Sequence, residues 1–235
     1  ASAEASAAKM LSIPAATKNV PTAFYDTVIA AAKYLTDNAD SSYRRVIVVL
    51  SDGDDNFSEQ IRDSALADYN ASLAAQQSAQ GTPASDPNAK PAVKPNAKSA
   101  VPPIRTELRE ILQQRHQLAV VAVQKAVQQA DVIFYSVNPG GPSIKLNQIA
   151  MRAERGMEAI AETTGGTAFV PEADADLERV FRQVAAELRG QYLLQYYGDS
   201  TAPAGQFRRI QVAVPARNDV RVRARQGYYP KKQAN

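Results

Sequence analysis

Val46-Ile47-Val48-Val49-Leu50 runs directly into Ser51-Asp52-Gly53-Asp54-Asp55-Asn56. Five consecutive apolar residues, three of them Val, are too short for a buried helix and suit a strand covered on both faces. The abrupt change to Ser-Asp-Gly and two further carboxylates delivers acidic side chains to the carboxyl end of that strand, where open α/β sheets hold their ligands. Carboxylate and hydroxyl oxygens suit a hard divalent cation such as Mg²⁺ or Ca²⁺. The same string also reads as a βα turn whose Asp and Ser cap the next helix.

The segments around it alternate between helix and strand. Phe24, Tyr25, Val28, Ile29, Ala32 and Leu35 predict a helix over 22–37, with Pro21 before it and Thr22 as its cap. Ser58 is placed to cap another helix. A long helix is expected over 104–130, its apolar stripe formed by Leu108, Ile111, Leu112, Ala119, Ala122, Val123, Ala126 and Val127. A second buried strand, 132–137, ends in Asn138-Pro139-Gly140-Gly141. Leu146, Ile149, Ala150, Ala153, Met157, Ile160 and Ala161 mark one face of the following helix, and Gly165-Gly166 stops it as a C-cap. A short strand at 167–170 precedes a helix over 174–189 with Leu177, Val180, Phe181, Val184 and Leu188 inward. Such alternation means a parallel sheet with helices on both faces.

Both ends and one insertion differ in texture. Residues 1–21 read as an irregular segment, Ala/Ser-rich at the start, without the basic end and apolar centre of an intact signal peptide. From Gly81 to Pro103, Pro83, Pro87, Pro91 and Pro95 recur every four residues, which excludes a regular helix or central strand and predicts an extended, polyproline-like insertion. Segments 191–197, 207–214 and 220–225 alternate with period two and predict an antiparallel unit with one basic face. The divisions expected are therefore 1–21, an α/β domain over 22–190, and a β extension over 191–235.

Composition removes several classes of function. The 235 residues contain no Cys, so disulfides, thiol nucleophiles and zinc-thiolate sites are excluded. No apolar stretch reaches membrane-spanning length. His116 is the sole histidine, set among Gln and Arg, and is expected to be exposed and idle; without a Gly-x-Ser-x-Gly elbow, triad chemistry has no support. Net charge is +3, yet 205–232 holds eight Lys/Arg against Asp219, leaving the remainder acidic. Arg221, Arg223 and Arg225, joined by Arg209, form a candidate basic surface. Nucleic acid is disfavoured as its partner, because Tyr192, Tyr196, Tyr197, Tyr228 and Tyr229 alternate as packing residues would.

Val46 to Asn56, with Thr22-Ala23-Phe24-Tyr25-Asp26 upstream, resembles the von Willebrand factor type A domain, and more closely the bacterial VWFA-related group prominent in acidobacteria. Ala161 to Gly166, Gln191 to Tyr196, Phe207 to Ile210 and Val222 to Tyr229 resemble that group in the same order. The resemblance implies a Rossmann-like three-layer α/β fold and a non-enzymatic adhesion or protein-interaction module, exported or in the cell envelope. It implies a divalent cation (Mg²⁺ or Ca²⁺) held by Thr22 and Asp52, with an open position for a protein ligand. Ser51, Asp54, Asp55 and Asn138 would rim that site; Asp54 and Asp55 are expected to face water.

One motif of the family is missing. No Asp-x-Ser-x-Ser occurs, the nearest string being Asp68-Tyr69-Asn70-Ala71-Ser72, and the family's first strands have no counterpart before Thr22. The chain then reads as a fragment, or its missing strands come from another polypeptide through the exposed edge of 46–50. Two other functions stay open: an assembly subunit that uses this edge and the basic extension without metal, and a metal-dependent hydrolase using Asp52, Asp54 and Asp55, for which no base is evident.

Overall fold

A computed structural model describes residues 3–14, 20–40, 42–62, 103–142, 147–172, 176–196, 205–217 and 219–230. The Pro-rich stretch at 81–102 lies outside these residues, as do Asp68 to Ser72, Leu146 and Tyr197.

The elements are α1 (Ala3–Leu11), α2 (Phe24–Asn38), β1 (Arg45–Leu50), α3 (Pro103–Gln129), β2 (Val132–Val137), α4 (Gln148–Thr164), β3 (Ala168–Phe169), α5 (Asp176–Arg189), β4 (Arg208–Arg209) and β5 (Gly227–Tyr228). Among the described residues, three strands form a parallel sheet in the order β1-β2-β3. Arg45 to Leu50 pair with Val132 to Val137 residue for residue. Strands β4 and β5 form a separate antiparallel pair. The chain is thus α/β with a small antiparallel addition, an arrangement compatible with a Rossmann-like fold.

Strand β2 is central, and its period of two sends side chains into two cores. Val132 and Phe134 join Phe24, Tyr25, Val28 and Ala32 of α2, Ala119, Val123 and Val127 of α3, and Ala153, Met157 and Ile160 of α4. Tyr135 and Val137 meet Val180 and Val184 of α5 on the opposite face. Each of these large apolar side chains contributes roughly 1.5–3 kcal/mol on burial. Strand β1 lies at the sheet edge, and α5 packs against Val46 but leaves Val48 and Leu50 exposed.

Several expectations need correction. Residues 3–11 form a helix rather than an irregular segment, as Ala-rich sequence favours. Thr22 does not cap α2; the N-cap position is Ala23, which makes no side-chain cap bond. Ile149 and Phe181 are exposed: Ile149 lies in the first turn of α4, ahead of the buried residues that begin at Ala153, and Phe181 lies to the side of the face that α5 buries through Val180 and Val184. Among the described residues, 191–196 and 220–225 carry no strand, and the antiparallel pair is limited to 208–209 with 227–228, extended by the bond from Ile210 N–H to Gln226 C=O. Backbone and side chains of the last segment are taken by the α/β body instead: Gln226 N–H donates to Thr163 C=O, Arg223 pairs with Glu187, and Arg225 with Asp131.

Candidate functional site at the sheet rim

The acidic loop leaves β1 and folds onto the start of α2. Ser51 Oγ accepts from Gly53 N–H at 3.0 Å, and Asp52 Oδ1 from Asp54 N–H at 3.1 Å. Gly53 has φ +75, and a Cβ there would strike the Met157 side chain, so a tight left-handed turn beneath α4 requires glycine. Asp54 Oδ1 accepts from Asp55 N–H and lies 3.9 Å from the Arg152 guanidinium.

Asp55 is the hub. Contrary to expectation it is only 2% exposed. Its Oδ2 accepts from Tyr25 N–H (2.8 Å) and Ser58 Oγ–H (2.6 Å), its Oδ1 from Phe57 N–H (3.1 Å) and Ser58 N–H (2.9 Å). Asp26 N–H donates to Ser58 Oγ, and Glu59 N–H donates to Asp26 Oδ2. Two helix starts, α2 and the turn at 59–62, therefore cap each other with side chains borrowed across the gap. Their unpaired N–H groups and positive dipole ends explain why carboxylates collect here. Asn56 Oδ1 accepts from Thr22 N–H, while Thr22 C=O accepts from Asn56 and Phe57 N–H.

Behind the hub, Tyr25 Oη and His116 Nδ1 form a hydrogen bond of 3.1 Å. His116 is buried, not exposed: α3 presents it to α2 at the level of the loop. Burial, aided by the nearby Arg152 charge and opposed by Asp55, lowers its pKa to about 4. Burial and then the Asp55 charge push Tyr25 up to about 12. The pair is neutral at pH 7.

The structure brings Thr22, Ser51 and Asp52 to one end of the sheet. Thr22 and Ser51 line a groove of about 180 Å³ between α2 and β1, floored by Phe24, Val28, Ile47 and Val49. Asp52 is exposed beside it. Asp54 belongs to the same loop but faces Arg152. Asn138 follows the neighbouring strand, where Oδ1 accepts from Gly140 N–H and Nδ2 donates to Gly141 C=O, so its amide is engaged in its own turn. The arginines lie at the far end of the molecule, around the β4–β5 unit. Arg209 and Arg221 are exposed, whereas Arg223 and Arg225 are drawn onto Glu187 and Asp131 and do not extend a free basic stripe.

As a cation site the donor set is short. A hard divalent cation takes six or more oxygens. Thr22, Ser51 and Asp52 supply two hydroxyls and one carboxylate, and Asp55 is committed to four hydrogen bonds. Among the described residues no group of three or more His, Cys, Asp or Glu could hold a metal, and none of the described helices is long and apolar enough to cross a membrane.

Tyr25, Asp55 and His116 are the residues that sequence reasoning missed as a unit. Asp55 and Ser58, three apart ahead of a helical turn, carried a local capping signal. The contact from Tyr25 to His116 spans ninety-one positions and left no local trace. Neither a family model, nor a curated protein, nor a solved structure matches this chain.

Proposed function

We propose that this chain is a non-enzymatic protein-interaction module of von Willebrand A type, which engages its partner along the β1 side of the sheet. One observation carries the reading: β1 ends the sheet among the described residues while exposing Val48 (42%) and Leu50 (55%), beside an apolar groove. Unprotected apolar edges of this kind mark association surfaces. The polar groups of the rim support binding over catalysis. Asp55 is spent on capping, and His116 is buried, neutral and held by Tyr25. By the same resemblance the module works outside the cytoplasm or in the cell envelope.

The test is a photo-crosslinking side chain placed at Thr27 in the groove, with the exposed Glu158 of α4 as control. A polypeptide adduct at Thr27 and none at Glu158 is expected. Equal labelling at both positions, or none at Thr27, overturns the reading.

A second reading adds a divalent cation, favoured because Thr22 and Asp52 share one end of the sheet. The partner would complete the coordination. Asp52→Ala then removes any rise in melting temperature produced by Mg²⁺; a rise of equal size in the variant sinks it.

A further inference from the structure

We infer that the acidic loop after β1 is an acid-sensitive switch worked by His116: protonating the buried ring opens residues 52–58 locally while the sheet and its two cores stay folded. Nothing in this switch depends on what β1 binds.

Four elements meet at the ring. The Tyr25 hydroxyl of α2 and His116 Nδ1 of α3 are hydrogen-bonded at 3.1 Å, with the two rings edge to face and their centroids 5.8 Å apart. The same tyrosine gives its backbone N–H to Asp55 Oδ2 at 2.8 Å. Asp55 also takes Phe57 N–H, Ser58 N–H and Ser58 Oγ–H, and Ser58 Oγ accepts from Asp26 N–H. One residue therefore links the imidazole to the carboxylate that holds the loop against the start of α2. Among the described residues, the charged and titratable groups around the ring are Tyr25, Asp55 and, from α4, Arg152; Asp54 stands beside Arg152, and on α3 itself Arg115 is adjacent in sequence.

The neutral ring suits this site and the charged ring does not. His116 is 4% exposed, so a charge there loses its hydration. A charged imidazole donates from both nitrogens, whichever way the proton lies in the neutral pair, and Tyr25 must turn its own proton elsewhere. The Arg152 guanidinium repels the cation. Asp55 attracts it, but that carboxylate already accepts four hydrogen bonds, and turning toward the ring draws it off the Tyr25, Phe57 and Ser58 N–H groups. Repulsion shifts Arg152 and with it Asp54; attraction uncaps α2. Both loosen the loop, and once it is open the ring charges in water.

The two cores include no group that titrates between pH 7 and 4, so the event stays local. The ring titrates at about 4 with the loop closed and near the ordinary 6.5 once solvated. Linkage then favours the closed loop above pH 6.5 and raises the opening constant, relative to pH 7, about 25-fold at pH 5 and about 100-fold at pH 4.

Hydrogen exchange on residues 1–235 at pH 7, 5 and 4, corrected for intrinsic rates, tests it. Protection of the Tyr25, Phe57 and Ser58 amides should fall about tenfold or more by pH 5. The Phe134 and Ser136 amides, bonded within the sheet, should remain far slower. His116 is the sole histidine, so its ring NMR signal needs no assignment and should titrate below about pH 5. His116→Gln keeps a hydrogen-bonding group for Tyr25 but takes no charge, and its loop protection should be equal at pH 7 and 5. Arg152→Gln removes the repelling charge and should raise the midpoint of the ring and reduce the loss of protection at pH 4. A ring that titrates near 6.5, an equal loss in His116→Gln, or Phe134 and Ser136 amides that exchange at the loop's rate each overturns the inference. If His116→Gln does not fold, an unmoved midpoint in Arg152→Gln overturns it instead.

Discussion

Asp55 shows how a residue type can point to one chemistry and serve another. In sequence it is one carboxylate of an acidic cluster suited to a cation. In the fold its oxygens close the gap between two helix starts. Asp55→Ala would strand the Tyr25 and Ser58 N–H groups in a buried site, each costing about 1–3 kcal/mol. A loss of about 3 kcal/mol in urea unfolding is expected, with unchanged denaturant slope, and Asp55→Asn should lose less because one oxygen remains. His116 makes the acid response legible. Its folded-state pKa of about 4 lies below the ordinary 6.5, so the unfolded chain takes up the proton first. The stability it protects is whole above pH 6.5, falls as pH drops from 6.5 to about 4, and then levels. The drop should be at most roughly 3 kcal/mol; His116→Phe should lack it, so the stability difference between wild type and variant changes by that amount across the window.

At the scale of elements, the patterns that announced helices and strands were local and strong. Val46–Leu50 and Val132–Val137 appear as adjacent parallel strands, and α2, α3, α4 and α5 fall within a few residues of their apolar stripes. Stripes say which residues face inward only where something lies opposite, and this is why Ile149 and Phe181 are exposed. Gly165-Gly166 was legible as a helix stop, and Gly165 does adopt a left-handed φ of 80. The sequence did not reveal that Gly166 also brings β3 against β2: a Cβ there would stand 1.9 Å from the Phe134 carbonyl oxygen. Gly166→Ala must push β3 outward and strain the bonds from Ser136 N–H to Thr167 C=O and Asn138 N–H to Phe169 C=O. A cost of at least about 3 kcal/mol is expected by thermal unfolding, against less than about 0.5 kcal/mol for Gly190→Ala, where nothing lies closer than 3.4 Å.

At the scale of the whole molecule, the C-terminal extension is fastened to the α/β body by charge and backbone more than by its own sheet. Arg225 reaches Asp131 at 2.7 Å and Gln128 C=O at 3.2 Å, and Arg223 reaches Glu187 at 2.8 Å. Lys125 lies over the Tyr229 ring. These are partly solvated pairs worth about 0.5–1 kcal/mol each. Replacing Arg223 and Arg225 together by Ala should lower global stability by about 1–2 kcal/mol and speed tryptic cleavage at Arg208, Arg209 and Arg217. Equal cleavage rates in variant and wild type would show that the extension is held by other contacts.

The sequence by itself determined the alternation of helix and strand, the parallel sheet and the acidic end of β1, because those follow from local periodicity and from the chemistry of adjacent residues. Only the tertiary structure decided which carboxylate is buried, that the lone histidine meets a tyrosine from another helix, and that half of the basic stripe is neutralised by the body of the domain. Those outcomes depend on which groups distant in the chain arrive side by side, and a carboxylate that meets four donors is no longer free for anything else.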